Sequence, residues 1–263
     1  GGGTCRQAFA WVERGPQRML LAAGHAGGGV RVHLLDASGG VSSTNEPSVP
    51  MHRDAVSCLF YVPGAHILLT GSVDSTVRVW PLDQSPFPKG AGIPAIPSAV
   101  LSGHEAPVTC VAGCADLGVV VSGASDGTVL LHSLRKARFI RRLLANSPGP
   151  GNSPIRSVAI SGRGTCVALA EDGALFVIDL NAAFLHAAPP HEDPPRAFTL
   201  SPDSALLLLT RRSGQVDALW ADTLEACQAL APPSREHTHT PAVVVTPCAH
   251  ALLLVGGPVG GGG

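Results

Sequence analysis

One group of side chains in this sequence has the residue types and order of a catalytic triad. His104, Ser122 and Asp126 follow one another within a short stretch of the chain. In serine hydrolases a histidine takes the proton of the attacking hydroxyl, and a carboxylate orients the imidazole. Hydrolysis is therefore the chemistry that these side chains would offer if they meet in the fold. A serine nucleophile also needs a sharp, exposed turn such as Gly-x-Ser-x-Gly, and Ser122 does not stand in one.

The same residue types recur earlier in the chain, and this repetition changes their meaning. Residues 52–83 align with residues 104–135 without a gap, and both copies carry a histidine, a hydroxyl residue and an aspartate at matching positions. The members are His52, Thr70, Asp74 and Trp80 in the earlier copy, and His104, Ser122 and Asp126 in the later one. A catalytic site is needed once in a domain, whereas a structural element is needed once in every repeat. We therefore interpret the set as a structural network.

Weaker copies of the repeat extend over most of the chain and indicate the fold. They cover residues 19–36, 155–180, 196–220 and 241–257. Each copy consists of short runs rich in Val, Leu and Ile, separated by turns of Gly, Asp, Ser or Pro, which is typical of strands. A unit of roughly 40–50 residues with four short strands is the signature of a propeller blade. We predict an all-β fold, a β-propeller with an incomplete set of blades, five recognisable and a sixth partial, whose blades resemble WD repeats.

The weaker copies keep only part of the network. Asp172 stands at the aspartate position of the copy 155–180, whereas Gly27 and Gly214 take that position in two other copies. Thr210 and Trp220 have the same spacing as the hydroxyl residue and the tryptophan of the complete set. The residues that replace the tryptophan elsewhere are His132 and Ile178. Such partial sets say little about function.

The repeats also set the predicted domain boundaries. The propeller segment covers residues 19–257, preceded by a low-complexity start of a blade at 1–18 and followed by a Gly-rich tail at 258–263. A Pro/Gly-rich insertion at 85–98 is predicted to be an exposed loop. The chain lacks an initiator Met and has glycine runs at both ends, so we expect it to be a piece of a larger protein.

Composition excludes several classes of protein. Hydrophobic residues make up 45% of the 263 residues, which argues against a disordered chain. The formal net charge is -1, so binding of nucleic acid through global charge is not expected. The seven cysteines are odd in number and form no Cys-x-x-Cys motif, which favours reduced thiols in a cytosolic protein. We expect no metal and no cofactor.

A short basic segment, RKARFIRR, stands apart from the otherwise mixed charges. Its cations flank Phe139 and Ile140, and they are Arg135, Lys136, Arg138, Arg141 and Arg142. One interpretation is an outermost strand whose charges prevent edge-to-edge pairing. The alternative is a functional patch that docks an acidic peptide, an anionic lipid surface or RNA.

The loops before each blade and the turns that carry the aspartate form a candidate face for a partner. In a propeller these loops converge around the mouth of the channel, and loops on a rigid scaffold commonly carry recognition. The residues expected to be exposed there are Arg53, Asp54, Val73, Glu105, Ser125, Glu171, Arg211 and Arg212. This mixed-sign surface suits a short peptide with charged and apolar anchors. The alternative is that these are ordinary solvated loop residues, and the sequence favours neither.

Two resemblances add to this interpretation. The blades resemble WD repeats, in which such a His, Ser/Thr, Asp and Trp form a hydrogen-bond network inside each blade. Residues 101–143, followed by 153–161, resemble the C-terminal propeller of BEACH-domain proteins, the neurobeachin-like family and its plant relatives. The features that carry this resemblance are His132 in place of tryptophan, the basic strand after it and the run DLGVVVSG; HRDAVSCL and TGSVDSTVRVW in residues 52–80 fit as well.

The family resemblance implies a function. In BEACH-domain proteins the propeller follows a PH-like domain and a BEACH domain and serves as a platform for protein docking. It implies a non-catalytic scaffold in membrane or vesicle trafficking or autophagy, located in the cytoplasm, with endosomal or vesicle membranes as a peripheral location. The expected partners are a protein or peptide on the propeller face and the rest of a longer chain.

Overall fold

The fold is described from a computed structural model that covers most of the repeats. The described residues are 9–13, 18–36, 41–43, 49–82, 94, 96–145, 152–188, 193–201, 205–221, 223–230, 239–245 and 252–258. The chain divides into two compact units, residues 1–158 and residues 159–263. Strands make up nearly all of the regular structure in the described ranges, together with a short 3-10 helix at Pro63–Ala65.

The strands form successive antiparallel sheets, which we call blades 1 to 6. Blade 1 contains β1 (Phe9–Glu13), β2 (Arg18–Gly24), β3 (Gly29–Asp36), β4 (Val41–Ser43) and the short β5 (Val49–Pro50). Blade 2 contains β6 (Val56–Val62), β7 (Ile67–Ser72), β8 (Val77–Pro81) and β9 (Ala99–Leu101). Blade 3 contains β10 (Val108–Cys114), β11 (Val119–Ala124), β12 (Val129–Ser133) and β13 (Arg138–Leu144).

The later blades follow the same order. Blade 4 contains β14 (Ile155–Ile160), β15 (Thr165–Ala170), β16 (Leu175–Asp179) and β17 (Phe184–Ala188). Blade 5 contains β18 (Pro195–Leu200), β19 (Leu206–Arg211), β20 (Val216–Trp220) and β21 (Ala226–Leu230). Blade 6 consists of β22 (His239–Val245) paired with β23 (Leu252–Pro258). The all-β prediction of five blades and a partial sixth is confirmed.

Burial explains why the strands of one blade differ in composition. Every residue of β11 and β15, the second strands of their blades, is buried, and these strands are continuous runs of small and apolar side chains. The outermost strands β13 and β17 are largely exposed. A strand covered on both faces carries an uninterrupted apolar run, whereas an edge strand tolerates charge.

The hairpins between the second and third strands have the same register in blades 1 to 5. The innermost paired residues are Gly24 with Val30, Gly71 with Val77, Gly123 with Val129, Leu169 with Leu175, and Thr210 with Val216. The turn centres, halfway between these pairs, are Gly27, Asp74, Asp126, Asp172 and Ser213. The predicted centre is thus correct in four blades. It is wrong in blade 5, where Ser213 and not Gly214 takes the aspartate position.

The same register overturns the spacing argument for blade 5. Thr210 pairs where Gly71 pairs in blade 2, so the hydroxyl and tryptophan positions fall on Leu209 and Leu219. A shift of one residue along a strand turns every side chain to the opposite face. Trp220 is accordingly 47% exposed. The Thr210 hydroxyl is buried and has no hydrogen-bond partner among the described residues.

The apolar core lies between the faces of neighbouring sheets. One cluster joins blades 1 and 2 and consists of Ala22, Val30, Met51, Val56, Leu68, Trp80 and Leu82. A second joins blades 2 and 3 through residues such as Leu69, Val79, Val108 and Val120. In the second unit a cluster joins blades 4 and 5 and includes Val167, Leu169, Val177, Leu207 and Leu209.

Hydroxyl groups join the first strands of neighbouring blades in the first unit. The Ser57 hydroxyl donates to the Val108 carbonyl at 2.5 Å, and the hydroxyl of Thr109, which matches Ser57 in the repeat, contacts the Ile155 carbonyl. A Cβ added at Gly71 would lie 2.4 Å from the Cys58 sulfur, so no larger residue fits there. The first strands of blades 2, 3 and 4 therefore pack closely side by side.

Parts of the domain prediction fall outside the described ranges. Residues 1–8 and 259–263 lie there, and so does most of the predicted insertion at 85–98. The strand β1 at Phe9–Glu13 pairs with β2 and belongs to blade 1. The boundaries at residues 19 and 257 stay predictions.

Candidate functional site

In blade 2 the structure brings all four members of the predicted network together. His52 Nε2 lies 2.7 Å from Thr70 Oγ1, and His52 Nδ1 lies 3.0 Å from Asp74 Oδ2. The indole N–H of Trp80 donates to Thr70 Oγ1 at 3.0 Å. Three hydrogen bonds thus run from the third strand, through the second strand and the preceding loop, to the turn.

The direction of these three hydrogen bonds follows from which atoms can donate a proton. The Trp80 indole can only donate, and a threonine hydroxyl has one proton to give. Asp74 is a carboxylate and can only accept, so His52 Nδ1–H donates to it. In a neutral imidazole Nε2 then carries no proton and accepts from the Thr70 hydroxyl, whose oxygen accepts from Trp80. Burial lowers the pKa of His52 below its usual 6.5, in agreement with a neutral imidazole.

Asp74 is the fixed end of the chain of hydrogen bonds. One carboxylate oxygen accepts from the backbone N–H of Arg53 at 3.1 Å, and the other accepts from the Thr76 hydroxyl at 2.6 Å. Burial raises the pKa of Asp74, but hydrogen bonds from Thr76, the Arg53 backbone and His52 outweigh this effect and lower the pKa to about 2. The carboxylate stays charged at neutral pH and holds the loop of His52 against the turn.

Backbone contacts from blade 1 hold the same loop. The N–H groups of Met51 and His52 both donate to the Gly28 carbonyl at 2.9 Å. Gly28 has a φ of 77°, and a Cβ at this position would lie 2.3 Å from the His52 carbonyl oxygen. The loop that carries His52 is therefore fixed by the hairpins of two neighbouring blades.

Blade 3 has a similar network of hydrogen bonds, with one additional hydroxyl between the histidine and the aspartate. His104 Nε2 lies 2.8 Å from Ser122 Oγ, but His104 Nδ1 lies 3.1 Å from Thr128 Oγ1. The Thr128 hydroxyl in turn donates to Asp126 at 2.7 Å. His104 therefore does not donate directly to Asp126 as His52 does to Asp74, because the Thr128 hydroxyl lies between them. Burial, and then the charge of the neighbouring His132, lower the pKa of His104 to about 4.

His132 takes the tryptophan position in blade 3 and does not reach Ser122. Its Nε2–H donates to the Ser102 carbonyl at 3.1 Å, and its ring meets the ring of Phe139 edge-on at 5.8 Å. Its Nδ1 is buried without a hydrogen-bond partner in the described part of the chain. Burial lowers the pKa of His132, so this imidazole is also neutral.

Sequence reasoning missed the threonines that follow the aspartates. Thr76 and Thr128 each stand two residues after the aspartate, and each hydroxyl contacts both the carboxylate and the histidine. A signal was present, because both turns read Asp-x-Thr-Val at the same position of the repeat.

The geometry bears directly on the chemistry of the apparent triad. Thr70 and Ser122 are fully buried, so neither oxygen can meet a substrate. Gly-x-Ser-x-Gly does occur once in the sequence, at GASDG around Ser125, but there it forms the turn between two antiparallel strands. A nucleophile elbow instead joins a strand to a helix. The arrangement can tie loops to strands, and it offers no reachable nucleophile.

The predicted face residues of blades 2 and 3 lie on loops at the same end of the two blades. The Val73 N–H donates to the Ala55 carbonyl, and the Ser125 N–H donates to the Pro107 carbonyl, so each turn is bound to the loop before its blade. The exposed members of this group are Arg53, Asp54, Val73 and Glu105, whereas Ser125 is half-buried. We call the loops 53–55 and 105–107 with the turns 72–75 and 124–127 the loop face.

In the second unit the predicted residues differ among themselves. Glu171 and Arg212 are exposed. Arg211 is not a free face residue as expected, because its guanidinium pairs with the carboxylate of Asp217 and donates to the Asp193 carbonyl at 2.8 Å. The arginine is therefore part of the internal packing of blade 5.

The basic segment forms the turn before β13 and β13 itself, at the outer edge of blade 3. All five predicted cations, Arg135, Lys136, Arg138, Arg141 and Arg142, are exposed. Phe139 and Ile140 between them are 48% and 41% exposed. The predicted outermost strand is thus present, with charged and apolar side chains in contact with solvent.

Two kinds of feature are absent from the described residues. These residues contain no group of three His, Cys, Asp or Glu side chains placed to hold a metal ion. No helix in these ranges has the length and apolar character needed to cross a bilayer.

Comparison with known proteins decides the family. A model of the neurobeachin β-propeller domain matches residues 3–228. The chain belongs to the neurobeachin β-propeller domain family. The resemblance to BEACH proteins inferred from residues 101–161 is confirmed, and with it the propeller fold.

Three relatives with curated descriptions are BEACH or Beige proteins, each from a different organism. BEACH domain-containing protein B of Arabidopsis thaliana is 31% identical over 193 residues, which is 68% of this chain and 7% of that protein. Beige protein homolog 1 of Schizosaccharomyces pombe is 29% identical over 44% of this chain and 4% of its own length. BEACH domain-containing protein lvsD of Dictyostelium discoideum is 26% identical over 54% of this chain and 5% of its own length. The chain thus spans only a small part of these relatives.

A solved structure supports the fold alone. The crystal structure of the computationally designed Ika8 protein matches with a TM-score of 0.59 and 19% sequence identity. The match covers 86% of this chain and 61% of the designed chain.

Proposed function

We propose that this neurobeachin-type propeller is a non-catalytic docking module that binds a protein partner through its loop face. By analogy with its BEACH-protein relatives, it acts within a longer chain in vesicle trafficking or autophagy, in the cytoplasm and at endosomal or vesicle membranes. The rest of that chain would supply PH-like and BEACH domains. The relatives' names support the family context, and the loop geometry supports the docking surface.

The observation that carries the proposal is the contrast between a fixed base and exposed tips on the same loop. His52 is buried and hydrogen-bonded to Thr70 and Asp74, whereas the side chains of the next two residues, Arg53 and Asp54, are exposed. A loop that is already ordered loses little conformational entropy when a partner binds. Exposed side chains on ordered loops therefore suit recognition.

The charges of the loop face indicate the kind of partner. Arg53, Asp54 and Glu105 carry both signs, and Val73 adds an apolar side chain that is 38% exposed. A surface of mixed sign discriminates among charge patterns and does not attract polyanions in general. We infer that the partner is a peptide segment with charged and apolar anchors.

The alternative to a docking function is an enzymatic one. It would need a nucleophile or a general base that a substrate can reach. The hydroxyls of Thr70 and Ser122 are buried. Both ring nitrogens of His52 and of His104 make hydrogen bonds within the protein. These contacts favour docking over catalysis.

Exchanging charges on the loop face tests the proposal. The double variant Arg53→Glu with Glu105→Arg keeps the net charge of the chain but reverses both signs on the face. We expect the variant to lose the partner that the unchanged propeller captures from cell extract. Its unfolding free energy should stay within about 0.5 kcal/mol of the original, because both side chains are exposed.

A matched control lies on the outer strand of blade 3. Neutralising Arg138, Arg141 and Arg142 to glutamine removes charge away from the loop face and should leave capture of this partner intact. The proposal fails if the glutamine variant loses the partner while the face variant keeps it.

A further inference from the structure

Strand β13 (Arg138–Leu144) is the unpaired edge of its sheet. The order in blade 3 is β10-β11-β12-β13, and no described strand pairs with the outer side of β13. An edge strand presents a row of backbone N–H and C=O groups that can pair with another chain. The outer side of β13 is therefore open to the addition of a strand.

A bulge places two apolar residues next to each other on this edge. Leu131 pairs with Arg141 and His132 pairs with Phe139, which leaves Ile140 as the extra residue. The Phe139 ring packs against the buried ring of His132, so its position is fixed although 48% of the residue is exposed. Ile140 is 41% exposed beside it. We call Phe139 and Ile140 the apolar pair.

The charge around the apolar pair is of one sign. Residues 134–145 contain five cations and no acidic residue. Four of the exposed cations make no ion pair within the described ranges, and these are Arg135, Lys136, Arg138 and Arg142. An exposed block of one sign attracts the opposite sign and raises the rate of encounter with it.

We propose that the outer edge of β13 binds an extended, acidic segment of a protein partner, which adds to blade 3 as a further antiparallel strand. Acidic side chains of the segment lie against the cations, and an apolar residue packs on the apolar pair. Strand addition of this kind obtains affinity from backbone hydrogen bonds and specificity from alternate side chains. The proposal rests on the docking function above but uses a surface separate from the loop face.

The open backbone edge favours a peptide over other anionic partners. A lipid headgroup or an RNA phosphate can meet the cations but cannot pair with a row of alternating N–H and C=O groups. RNA binding would also be expected to use aromatic faces for stacking. Phe139 is the one aromatic side chain in the segment, and it packs against His132.

Binding of a synthetic peptide tests the proposal without knowledge of the natural partner. The probe is a fluorescent peptide in which Glu alternates with Ile, measured by polarisation against the 263-residue chain. Two further peptides carry N-methyl groups on the Glu or on the Ile residues, which blocks the N–H groups on one side of the strand. Strand addition predicts that one methylated peptide keeps its affinity and the other loses about tenfold or more.

Charge variants locate the binding site. Lys136→Glu with Arg138→Glu should weaken binding of the probe about tenfold or more, because attraction becomes repulsion. The matched control Arg53→Glu with Arg212→Glu makes the same change in net charge elsewhere and should bind the probe as the original chain does. The methylated peptides need no variant, so the test holds even if a variant fails to fold.

Three results would overturn the proposal. Equal affinity for both methylated peptides would indicate electrostatic adsorption without strand addition. Binding to phosphatidylserine vesicles or to poly(U) RNA but not to the peptide would assign the edge to lipid or RNA. If the probe does not bind while the loop face still captures its partner, the edge assignment is wrong and the docking function stands. If the probe binds but the loop face captures no partner, the docking function is wrong and the edge assignment stands.

Discussion

Replacing Thr70 by valine removes the hydroxyl that links the indole of Trp80 to the imidazole of His52 in blade 2. Valine has nearly the same shape as threonine, so the change leaves no cavity. It leaves two buried polar atoms without a partner, the indole N–H of Trp80 and Nε2 of His52. Thr70 and Trp80 are fully buried, so water cannot replace the lost contacts.

The size of the effect follows from these two atoms. Each buried donor or acceptor left unsatisfied costs about 1–3 kcal/mol, so Thr70→Val should destabilise the protein by about 2–6 kcal/mol. The same substitution at Thr210 is a matched control that should not lower the stability of the protein. Thr210 is also buried, but its hydroxyl has no hydrogen-bond partner among the described residues. Valine at this position should be neutral or should stabilise by up to about 1 kcal/mol.

Urea unfolding followed by circular dichroism measures both effects. Thr70 and Thr210 lie in different compact units, so separate transitions would assign each change to its unit. Loss of the same stability in the two valine variants would refute a stabilising role for these hydrogen bonds. Equal losses would mean that burial of the side chain matters and the Trp80–Thr70–His52 connection does not.

Three further predictions concern single groups. The pKa of His104 is about 4 in the fold and 6.5 in the unfolded chain, so the contribution of its neutral form to stability is complete above about pH 6.5. About 3 kcal/mol of that stability is lost as the pH falls to 4, because the unfolded chain then binds a proton that the fold does not. The unfolding free energy, measured at several pH values, should change less with pH in His104→Gln. Burial raises the pKa of Cys166 to about 12, so mass spectrometry should find iodoacetamide on the exposed Cys227 and find Cys166 modified only after unfolding. Acrylamide should quench the fluorescence of Trp220 more strongly than that of Trp80, because Trp220 is exposed and Trp80 is buried. The contribution of each tryptophan is the difference between the original chain and the variant Trp220→Phe or Trp80→Phe.

The repeat in the sequence was sufficient to predict strands, blades and turn centres wherever the copies align without gaps. Gly71 and Gly123 pair with valines in the same register, so the alignment of residues carried over to the alignment of the hairpins. In blade 5 the interval from Thr210 to Trp220 suggested the same network. Spacing within one strand pair does not say which residues pair, and a slip of one position reversed both side chains.

The contacts inside the network were harder to predict than its members. Residue types placed His104 near Asp126 but specify no distance between the two side chains, and the Thr128 hydroxyl lies between them. The role of Arg211 was also misjudged. A positive charge in a turn is normally solvated, and only the fold shows that Asp217 lies within reach of the guanidinium.

The bulges of the outer strands were not foreseen because they add one residue without changing composition. In blade 3 the extra residues are Ile140 and Leu143, and in blade 4 the extra residue is Leu185. Ile140 and Leu185 each follow an exposed phenylalanine in the sequence, Phe139 and Phe184. The recurrence of an aromatic and an aliphatic residue at the same point of two outer strands is a signal that could have been used.

A photo-crosslinking residue placed on the loop face gives the most direct test of the docking function. The position is Val73, which is 38% exposed in the turn of blade 2, and the comparison position is Val100, which is 48% exposed on the outermost strand β9 of the same blade. Irradiation of cells that carry each variant should give a discrete protein adduct at position 73 that disappears with Arg53→Glu and Glu105→Arg, and none at position 100. A discrete adduct at position 100 with none at position 73 would contradict docking on the loop face.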